Sequence, residues 1–217
     1  MASKPFKRAR DAESKHERRR SILDAALQLF QGGNLLPRVD DIALASKLAK
    51  GTVYLYFESR EEIYLTLVEE HFTAQLQALE AYLAQTQRIT ADELSEWILA
   101  YQLEHPAFLP MACIVSSVLE QNVGSPAAAR FKRMLAEKLV TCGRLLDQHL
   151  ADLPKDEGYH LLMAIYSLLM GLWQNAHPPK ALRDLLELLD LQALLLDFQA
   201  EARRSLLALC RGYTLSR

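Results

Sequence analysis

One stretch, VDDIALASKLAKGTVYLYFESREE at residues 39–62, constrains the fold more than any other part of the chain. Val39, Ile42 and Ala43 recur at helical spacing, and two aspartates stand at the start of that short helix. Residues 47–49 then suit a turn, and residues 50–56 suit a second short helix. Ser59 and Glu62 then form the pattern of a capping box, which starts a new helix near residue 60. The stretch therefore predicts a helix-turn-helix whose second helix, residues 50–56, is a recognition helix.

The order of residue types in this stretch resembles the head of TetR-family transcriptional regulators. The resemblance lies in DIA at residues 41–43, KGTVYLYF at residues 50–57 and SREE at residues 59–62. The apolar segment at residues 22–30 also resembles the first helix of that family. The match covers roughly the first third of the chain, and it is specific because three helices and their turns agree together.

The chain departs from the family pattern at a few positions. Lys47 stands in the turn where the family usually has Gly, and Ala49 stands where a Ser or Thr usually caps the recognition helix. Losing a capping side chain costs about 1 kcal/mol, which a packed head tolerates. Pro37 and Arg38 replace the usual Thr pair, so Arg38 would supply any phosphate contact at that point.

The resemblance implies that matching positions of the head contact operator DNA. Lys50 suits a phosphate or a guanine edge, Thr52 suits a base or a thymine methyl, and Gly51 lets the helix backbone approach DNA closely. Packing is the predicted role of Val53 and Phe57, and it remains the alternative for the two tyrosines. The predicted DNA-binding residues are Arg38, Lys47, Lys50, Gly51, Thr52, Tyr54, Leu55, Tyr56 and Arg60.

Charge is distributed unevenly along a chain whose net charge is −2. Residues 1–60 contain 12 Lys/Arg against 7 Asp/Glu, whereas residues 61–217 contain 13 against 20. Positive charge therefore gathers at the helix-turn-helix end, as binding to phosphates requires.

The N-terminal residues lack apolar periodicity, and a helical pattern begins only near Glu17. We predict a mobile basic arm over residues 1–15, which either contacts DNA or is a solvated tail. Residues 18–20, RRR, would stand at the start of the first helix, where positive charge opposes the helix dipole. They therefore serve either DNA phosphates or a solvated basic face. The basic residues of the arm are Lys4, Lys7, Arg8 and Arg10.

Beyond residue 60 the pattern is helical throughout. We predict helices over residues 60–87, 90–105, 108–121, 125–150, 155–175 and 181–212, the last with a bend near Asp190. Thr90 and Glu93 form the pattern of a capping box at the start of the second of these helices. The predicted fold class is all-α, with an N-terminal three-helix helix-turn-helix head joined to a larger helical body. The predicted domains are a disordered basic arm at 1–15, a DNA-binding domain at 16–62, and a ligand-binding and dimerisation domain at 63–217.

Residues 155–175 are apolar nearly all round, and such a helix must be buried on every side. Together with the Leu-rich final segment, it predicts either a four-helix interface between two chains or a core within one chain. The resemblance implies a homodimer, which would match a palindromic operator. The predicted interface residues are Leu161, Ile165, Leu168, Leu172, Leu195, Phe198 and Leu206.

The resemblance also implies a small-molecule effector site in the body. Soft and aromatic residues on its helices are candidates for an apolar lining, although each also suits an ordinary core. Few charged residues fall among them, which favours an uncharged or mainly apolar effector. The candidates are Trp97, Tyr101, Phe108, Met111, Cys113, Met163, Tyr166, Met170 and Trp173.

Other classes of protein find little support in the sequence. We find no GxGxxG, P-loop, GxSxG or HExxH motif, so no enzyme and no cofactor is predicted. His105, His149 and His160 lack metal-ligand spacing, and the three widely spaced cysteines indicate no disulfide framework. A charged N-terminus and the lack of a 20-residue apolar run favour the cytoplasm.

We therefore predict a ligand-responsive DNA-binding regulator, a repressor that an effector releases from its operator. The alternative is a helical ligand-binding or scaffolding module whose helix-turn-helix contacts protein.

Overall fold

A computed structural model describes residues 4–32, 36–115, 119 and 124–215, with the backbone alone for residues 4–12 and 125. The described residues form helices and no strand, which confirms the all-α prediction. They divide into two compact units. The first unit comprises residues 1–68 and 115–131, and the second comprises residues 69–114 and 132–217.

The described chain forms ten α-helices, and a short 3₁₀ turn at Gln192–Leu194 precedes the last of them. Their bounds are α1 Lys4–Gln31, α2 Val39–Ala45, α3 Lys50–Tyr54, α4 Arg60–Ala84, α5 Ala91–Glu104, α6 Phe108–Cys113, α7 Ser125–His149, α8 Gly158–Ala176, α9 Lys180–Leu188 and α10 Phe198–Thr214.

The head, formed by α1, α2, α3 and the start of α4, has its own apolar core. Tyr64 of α4 is fully buried, donates a hydrogen bond from its hydroxyl to the Ala26 carbonyl at 3.3 Å, and lies 5.9 Å from the Phe30 ring. Val53 and Phe57 are also buried, which confirms their packing role. A helix-turn-helix this short depends on such a core, because isolated helices under about 12 residues are marginal in water.

The structure extends α1 far beyond the predicted start. It is one 28-residue helix from Lys4, where the sequence pattern predicts a mobile arm through residue 15. Apolar periodicity missed it, because the Lys, Arg, Ala and Glu that dominate residues 7–20 favour helix without forming an apolar face. Pro5 is compatible with the first turn, where its missing N–H costs nothing. The side chains of Lys4, Lys7, Arg8 and Arg10 lie outside the described residues.

The longer α1 corrects the interpretation of the three consecutive arginines. They lie in the middle of the helix rather than at its start, so the helix dipole does not explain them. Arg20 donates to Asp24 at 2.8 Å, and the Arg19 guanidinium lies 5.0 Å from the centre of the Phe57 ring. Only Arg18 points largely to solvent.

In the second unit, α7 and α8 cross at two glycines. A Cβ on Gly158 would lie 2.1 Å from the Gly143 carbonyl oxygen, and a Cβ on Gly143 would lie 2.7 Å from the Tyr159 nitrogen. The Gly158 N–H donates to the Asp147 carboxylate at 2.8 Å, so a side chain of α7 satisfies the first turn of α8. The crossing therefore depends on the absence of two side chains.

Two predicted helical segments are interrupted in the structure. The segment 181–212 is broken at Asp190, whose φ of 58° ends α9. The Leu191 N–H donates to the Leu186 carbonyl and the Asp190 N–H to the Glu187 carbonyl, which is a Schellman motif. In the helix predicted over 108–121, the α-helical part ends at Cys113, and Val115 and Leu119 are π-helical. Residues 116–118 and 120–121 of that prediction lie outside the described part. The predicted capping box that starts α5 is confirmed.

Candidate functional site

The turn of the helix-turn-helix is a Schellman motif centred on Lys47. The Leu48 N–H donates to the Ala43 carbonyl at 2.9 Å, and the Lys47 N–H donates to the Leu44 carbonyl at 3.1 Å. Lys47 has φ 57°, a left-handed conformation that usually selects glycine. The structure thus gives a physical meaning to the unusual residue in this turn.

Replacing Lys47 with Gly should raise the free energy of unfolding of the head by about 1 kcal/mol, because glycine adopts the left-handed conformation without a Cβ clash. Thermal or urea unfolding measures the change. Lys47→Ala is the matched control, since it removes the same charge but keeps the Cβ. Equal stabilities of the Gly and Ala variants would contradict strain at this turn.

The outer face of α3 takes almost no part in packing. Leu55 is 80% exposed and Tyr54 is 47% exposed, and a Cβ added to Gly51 would meet nothing within 4 Å. Thr52 and Tyr56 are half-buried. An exposed leucine, an open glycine and a tyrosine hydroxyl on one short helix form a surface that suits an external partner.

Lys50, at the start of α3, forms an ion pair with Asp40 of α2. Its Nζ lies 2.9 and 3.0 Å from the two carboxylate oxygens, and both side chains are more than half exposed. The hydrogen bond to Asp40, with its charge, raises the pKa of Lys50 above the ordinary lysine value. Because the pair faces solvent, a phosphate can compete for Lys50.

The other predicted basic contacts differ in how far their side chains are engaged. Arg60 donates to the Leu36 carbonyl at 3.3 Å and pairs with Glu61 at 2.7 Å, so it is held within the head. Arg38 is exposed, and its backbone N–H donates to the Asp41 carboxylate at 3.1 Å. A shallow concavity of about 350 Å³ brings Arg38, Lys50, Tyr54 and Arg60 together.

In the second unit, a small cavity of about 10 Å³ lies among apolar and aromatic side chains. Two of the nine predicted effector residues, Trp97 and Tyr166, line it. The Tyr166 hydroxyl donates to the Gln75 Oε1 at 3.2 Å, and burial raises the pKa of Tyr166 far above its ordinary value. The full lining is Gln75, Leu79, Trp97, Ile98, Leu162, Ile165 and Tyr166.

The remaining predicted effector residues lie elsewhere in the same unit. Phe108 and Met111 are buried, and the Phe108 ring meets Phe72 edge-to-face at 4.7 Å, which in turn lies 5.3 Å from Tyr166. Half-buried Cys113 lies 3.6 Å from the carbonyl of Met170. Met163 is exposed.

Two further candidates, Tyr101 and Trp173, stack on neighbouring rings outside the cavity. Trp97 lies between the rings of Tyr82 and Tyr101, at 5.5 and 5.6 Å, and Tyr101 continues the row to His105. Trp173 stacks on His177 at 4.5 Å. Neither Tyr101 nor Trp173 is among the residues that line the cavity.

Two buried glutamines are not indicated by the sequence pattern. Gln75 lines the cavity, and Gln102 is 3% exposed with neither side-chain polar atom hydrogen-bonded within the described structure. Gln102 lies one helical turn after Ile98, a cavity residue, on the buried face of α5. A polar residue within an otherwise apolar helical face is the sequence signal that would have found both.

Replacing Gln102 with Leu should raise the free energy of unfolding by about 1–3 kcal/mol, because the buried amide is desolvated without hydrogen-bond partners. Urea unfolding of the full chain measures this change. Gln199→Leu, on exposed α10 surface, is the control for the same substitution in solvent. A destabilised Gln102→Leu protein would show that the amide is satisfied.

Family comparisons match nearly the whole chain from residue 22 onwards. Residues 22–67 match the model described as bacterial regulatory proteins, tetR family. Residues 69–217 match the model described as tetracyclin repressor-like, C-terminal domain. The second match alone spans more than half of the chain.

The chain belongs to the TetR family. It is therefore a DNA-binding transcriptional regulator with a helix-turn-helix head, as the sequence predicts. No curated protein sequence matched it significantly.

Two solved structures of regulators share the fold. The first is FadR from Bacillus subtilis in complex with stearoyl-CoA, with a TM-score of 0.51, 18% identity, and coverage of 88% of this chain and 96% of that one. The second is the fatty acid degradation regulator FadR from Bacillus halodurans, with a TM-score of 0.52, 18% identity, and coverage of 92% and 97%.

The predicted interface residues of this TetR-family chain differ in how far they are buried within a single copy. Leu161, Ile165 and Leu206 are fully buried within one chain, so their side chains belong to its own core. That corrects their predicted place at a dimer interface. The other predicted interface residues, Leu168, Leu172, Leu195 and Phe198, are half-buried and keep part of their surface free.

The described part of this TetR-family chain shows no metal-binding cluster, reactive thiol or membrane-spanning helix. Among the described residues, no group of three or more His, Cys, Asp or Glu side chains is placed to hold a metal ion. Burial raises the pKa of Cys113 to about 11 and that of Cys210 to about 12, so both thiols stay protonated at neutral pH. None of the described helices is both long and apolar enough to span a lipid bilayer.

Proposed function

We propose that this TetR-family regulator is a cytoplasmic repressor that binds a palindromic operator as a homodimer and leaves it when a small, mainly apolar effector binds. The observation that carries the DNA-binding half is the free outer face of α3. Gly51, Tyr54 and Leu55 are exposed there on a helix whose inner side chain, Val53, is fully buried. The buried side of this helix fixes it to the head and its outer side is exposed, as insertion into a major groove requires.

The ion pair between Lys50 and Asp40 supports the same proposal, because a DNA phosphate can replace Asp40 as the partner of Lys50. Lys50 is held by Asp40 in the free head, and a DNA phosphate offers it the same kind of charge-assisted contact. Asp40 would then be left beside the DNA backbone, where its negative charge opposes binding. Asp40 thus lowers the affinity of the head for DNA.

Replacing Asp40 with Asn should tighten operator binding about threefold to tenfold at moderate salt, because it removes both the competitor of Lys50 and a repulsive charge. Fluorescence anisotropy with a fixed duplex and salt concentration measures the change. Asp152→Asn is the matched control, since Asp152 forms a similarly exposed pair with Arg88 in the second unit. An unchanged affinity of the Asp40→Asn variant would contradict a contact between Lys50 and DNA.

The effector half of the proposal rests on the cavity around Trp97 and Tyr166. Its walls are apolar except for Gln75 and the tyrosine hydroxyl. At about 10 Å³ it holds no more than a water-sized group, so effector binding requires a wider conformation of this unit. The complex of Bacillus subtilis FadR with stearoyl-CoA supports a ligand with a long apolar chain.

A conformational mechanism follows from the course of α4. Ile63 and Tyr64 of this helix are buried in the head, whereas Gln75 and Leu79 of the same helix line the cavity. Widening the cavity would displace the C-terminal part of α4, and the helix would carry that displacement towards the head. An effector shifts the equilibrium only if it binds the wide conformation more tightly than the closed one.

Selection of bound duplexes from a random DNA pool tests the proposal first. An enriched palindrome for the native chain, lost in both Lys50→Ala and Tyr54→Ala, is the expected result. No enrichment at low salt would favour the alternative, a helical module whose helix-turn-helix binds protein. Release of the selected duplex by stearoyl-CoA, with coenzyme A alone as control, then tests the apolar effector.

A further inference from the structure

Gln102 is a buried polar side chain that the described part of the chain leaves without a partner. It is 3% exposed, and neither its Nε2 nor its Oε1 has a hydrogen bond there. The other buried polar side chains of the described part are bonded. Thr66 and Ser95 donate to backbone carbonyls, and Gln75 accepts from Tyr166. An unpaired buried amide costs free energy that a bound partner would recover, so Gln102 points to a ligand.

Gln102 lies close to the cavity that is proposed above to widen for the effector. On α5 it follows Ile98, a residue that lines the cavity, by one helical turn, about 6 Å along the helix axis. Both residues belong to the buried face of α5. A cavity that widens towards the C-terminal end of α5 would therefore reach the Gln102 amide.

The hydrogen-bonding groups of a glutamine amide restrict what can pair with it. Nε2 can donate two hydrogen bonds, and Oε1 can accept two. A carboxylate or an ester only accepts hydrogen bonds, so it would leave Oε1 unpaired, and an alkane would leave both atoms unpaired. A neutral carboxamide donates and accepts side by side. It can therefore satisfy both atoms of Gln102 at once.

The lining of the cavity also disfavours a carboxylate. None of the described residues that line it is charged, and burying a carboxylate without a cation is costly. A fatty acid is ionised at neutral pH, whereas an amide is not. Most of the lining suits an alkyl chain. Its aliphatic members are Leu79, Ile98, Leu162 and Ile165.

We propose that the effector is an aliphatic amide, whose alkyl chain lies among the aliphatic cavity residues and whose neutral carboxamide pairs with Gln102. This inference rests on the apolar effector proposed above and names its polar group. The ligand supplies the hydrogen bonds that Gln102 lacks in the closed conformation. It therefore binds the wide conformation more tightly, which is the condition for shifting the equilibrium.

Three probes of equal chain length test the polar group on the native chain: decanamide, methyl decanoate and decanoate. Decanamide should bind at least tenfold more tightly than the other two, because it alone pairs with both polar atoms of Gln102. Calorimetric titration of the full chain at neutral pH measures each affinity. An ester or a carboxylate that binds as tightly as the amide would overturn the amide effector.

A variant of similar side-chain length tests the residue. Gln102→Met removes both polar atoms, so it should weaken decanamide binding about tenfold and change methyl decanoate binding less than threefold. Damage to the cavity would weaken both ligands alike. Gln199→Met, on exposed α10 surface, is the matched control and should change neither affinity. Unchanged selectivity of the Gln102→Met variant would overturn the role of Gln102, and the three probes on the native chain decide the matter if that variant does not fold.

The outcomes separate the amide from the apolar effector. If decanamide and methyl decanoate bind equally and both release the selected duplex, the amide is overturned and the apolar effector stands. If neither these probes nor stearoyl-CoA bind the chain or release the duplex, the apolar effector and the amide fail together.

Discussion

Gly158→Ala should destabilise the protein by about 3 kcal/mol or more, and lower its melting temperature by about 10 °C, through the crossing of α7 and α8. The added Cβ would lie 2.1 Å from the carbonyl oxygen of Gly143 and 3.1 Å from the Asp147 carboxylate. The first of these atoms belongs to the backbone, so it cannot rotate away. Relief requires the two helices to separate, which breaks the hydrogen bond from the Gly158 N–H to Asp147.

Gly171→Ala is the control within the same helix. A Cβ at this position meets nothing within 4 Å, so the substitution should stabilise the protein by about 0.5–1 kcal/mol through helix propensity alone. Calorimetry of the two variants beside the native chain measures the contrast. A Gly158→Ala protein as stable as Gly171→Ala would contradict the close crossing.

Gly51→Leu should strongly weaken operator binding without harming the fold. The position is exposed and open, so a leucine there loses no packing and favours the helix more than glycine does. If the backbone of α3 lies against the major groove, the new side chain must hold the two surfaces apart. We expect a loss of about 100-fold in affinity for the selected duplex, roughly 3 kcal/mol.

Two further variants separate a steric effect at the DNA surface from a general one. Gly51→Ala adds a single carbon and should weaken binding by about tenfold or less. Gly212→Leu makes the same large change at an open position of α10 and should leave DNA affinity unchanged. Anisotropy titrations and thermal melts of all three proteins measure both properties. Native-like binding by Gly51→Leu would place α3 outside the groove.

The fold could be predicted from the sequence where the determining signals are local. The capping residues Thr90 and Ser59, the short apolar periods of the head, and the packing of Val53 and Phe57 all depend on neighbours within a few residues. Lys47 stood out in the sequence only as an unusual turn residue. Its left-handed backbone became visible in the structure because the hydrogen bonds of the turn define it.

The sequence was less informative where tertiary context decides. Apolar periodicity cannot tell whether Leu161 or Leu206 faces its own core or a second chain, since both environments select the same residue type. It also cannot detect a helix such as α1, whose start carries no apolar face. The unpaired amide of Gln102 requires knowledge of every neighbouring side chain, which only a three-dimensional structure provides.

The positions of the two tryptophans determine what the fluorescence of the protein reports. Trp97 and Trp173 are the chain's two tryptophans, and both lie in the second unit, in contact with Tyr82 and His177 respectively. Emission excited at the indole band therefore reports on that unit and leaves the head silent. A ligand that widens the cavity beside Trp97 will change this emission before any DNA is added, so unlabelled native protein can be used to screen effectors.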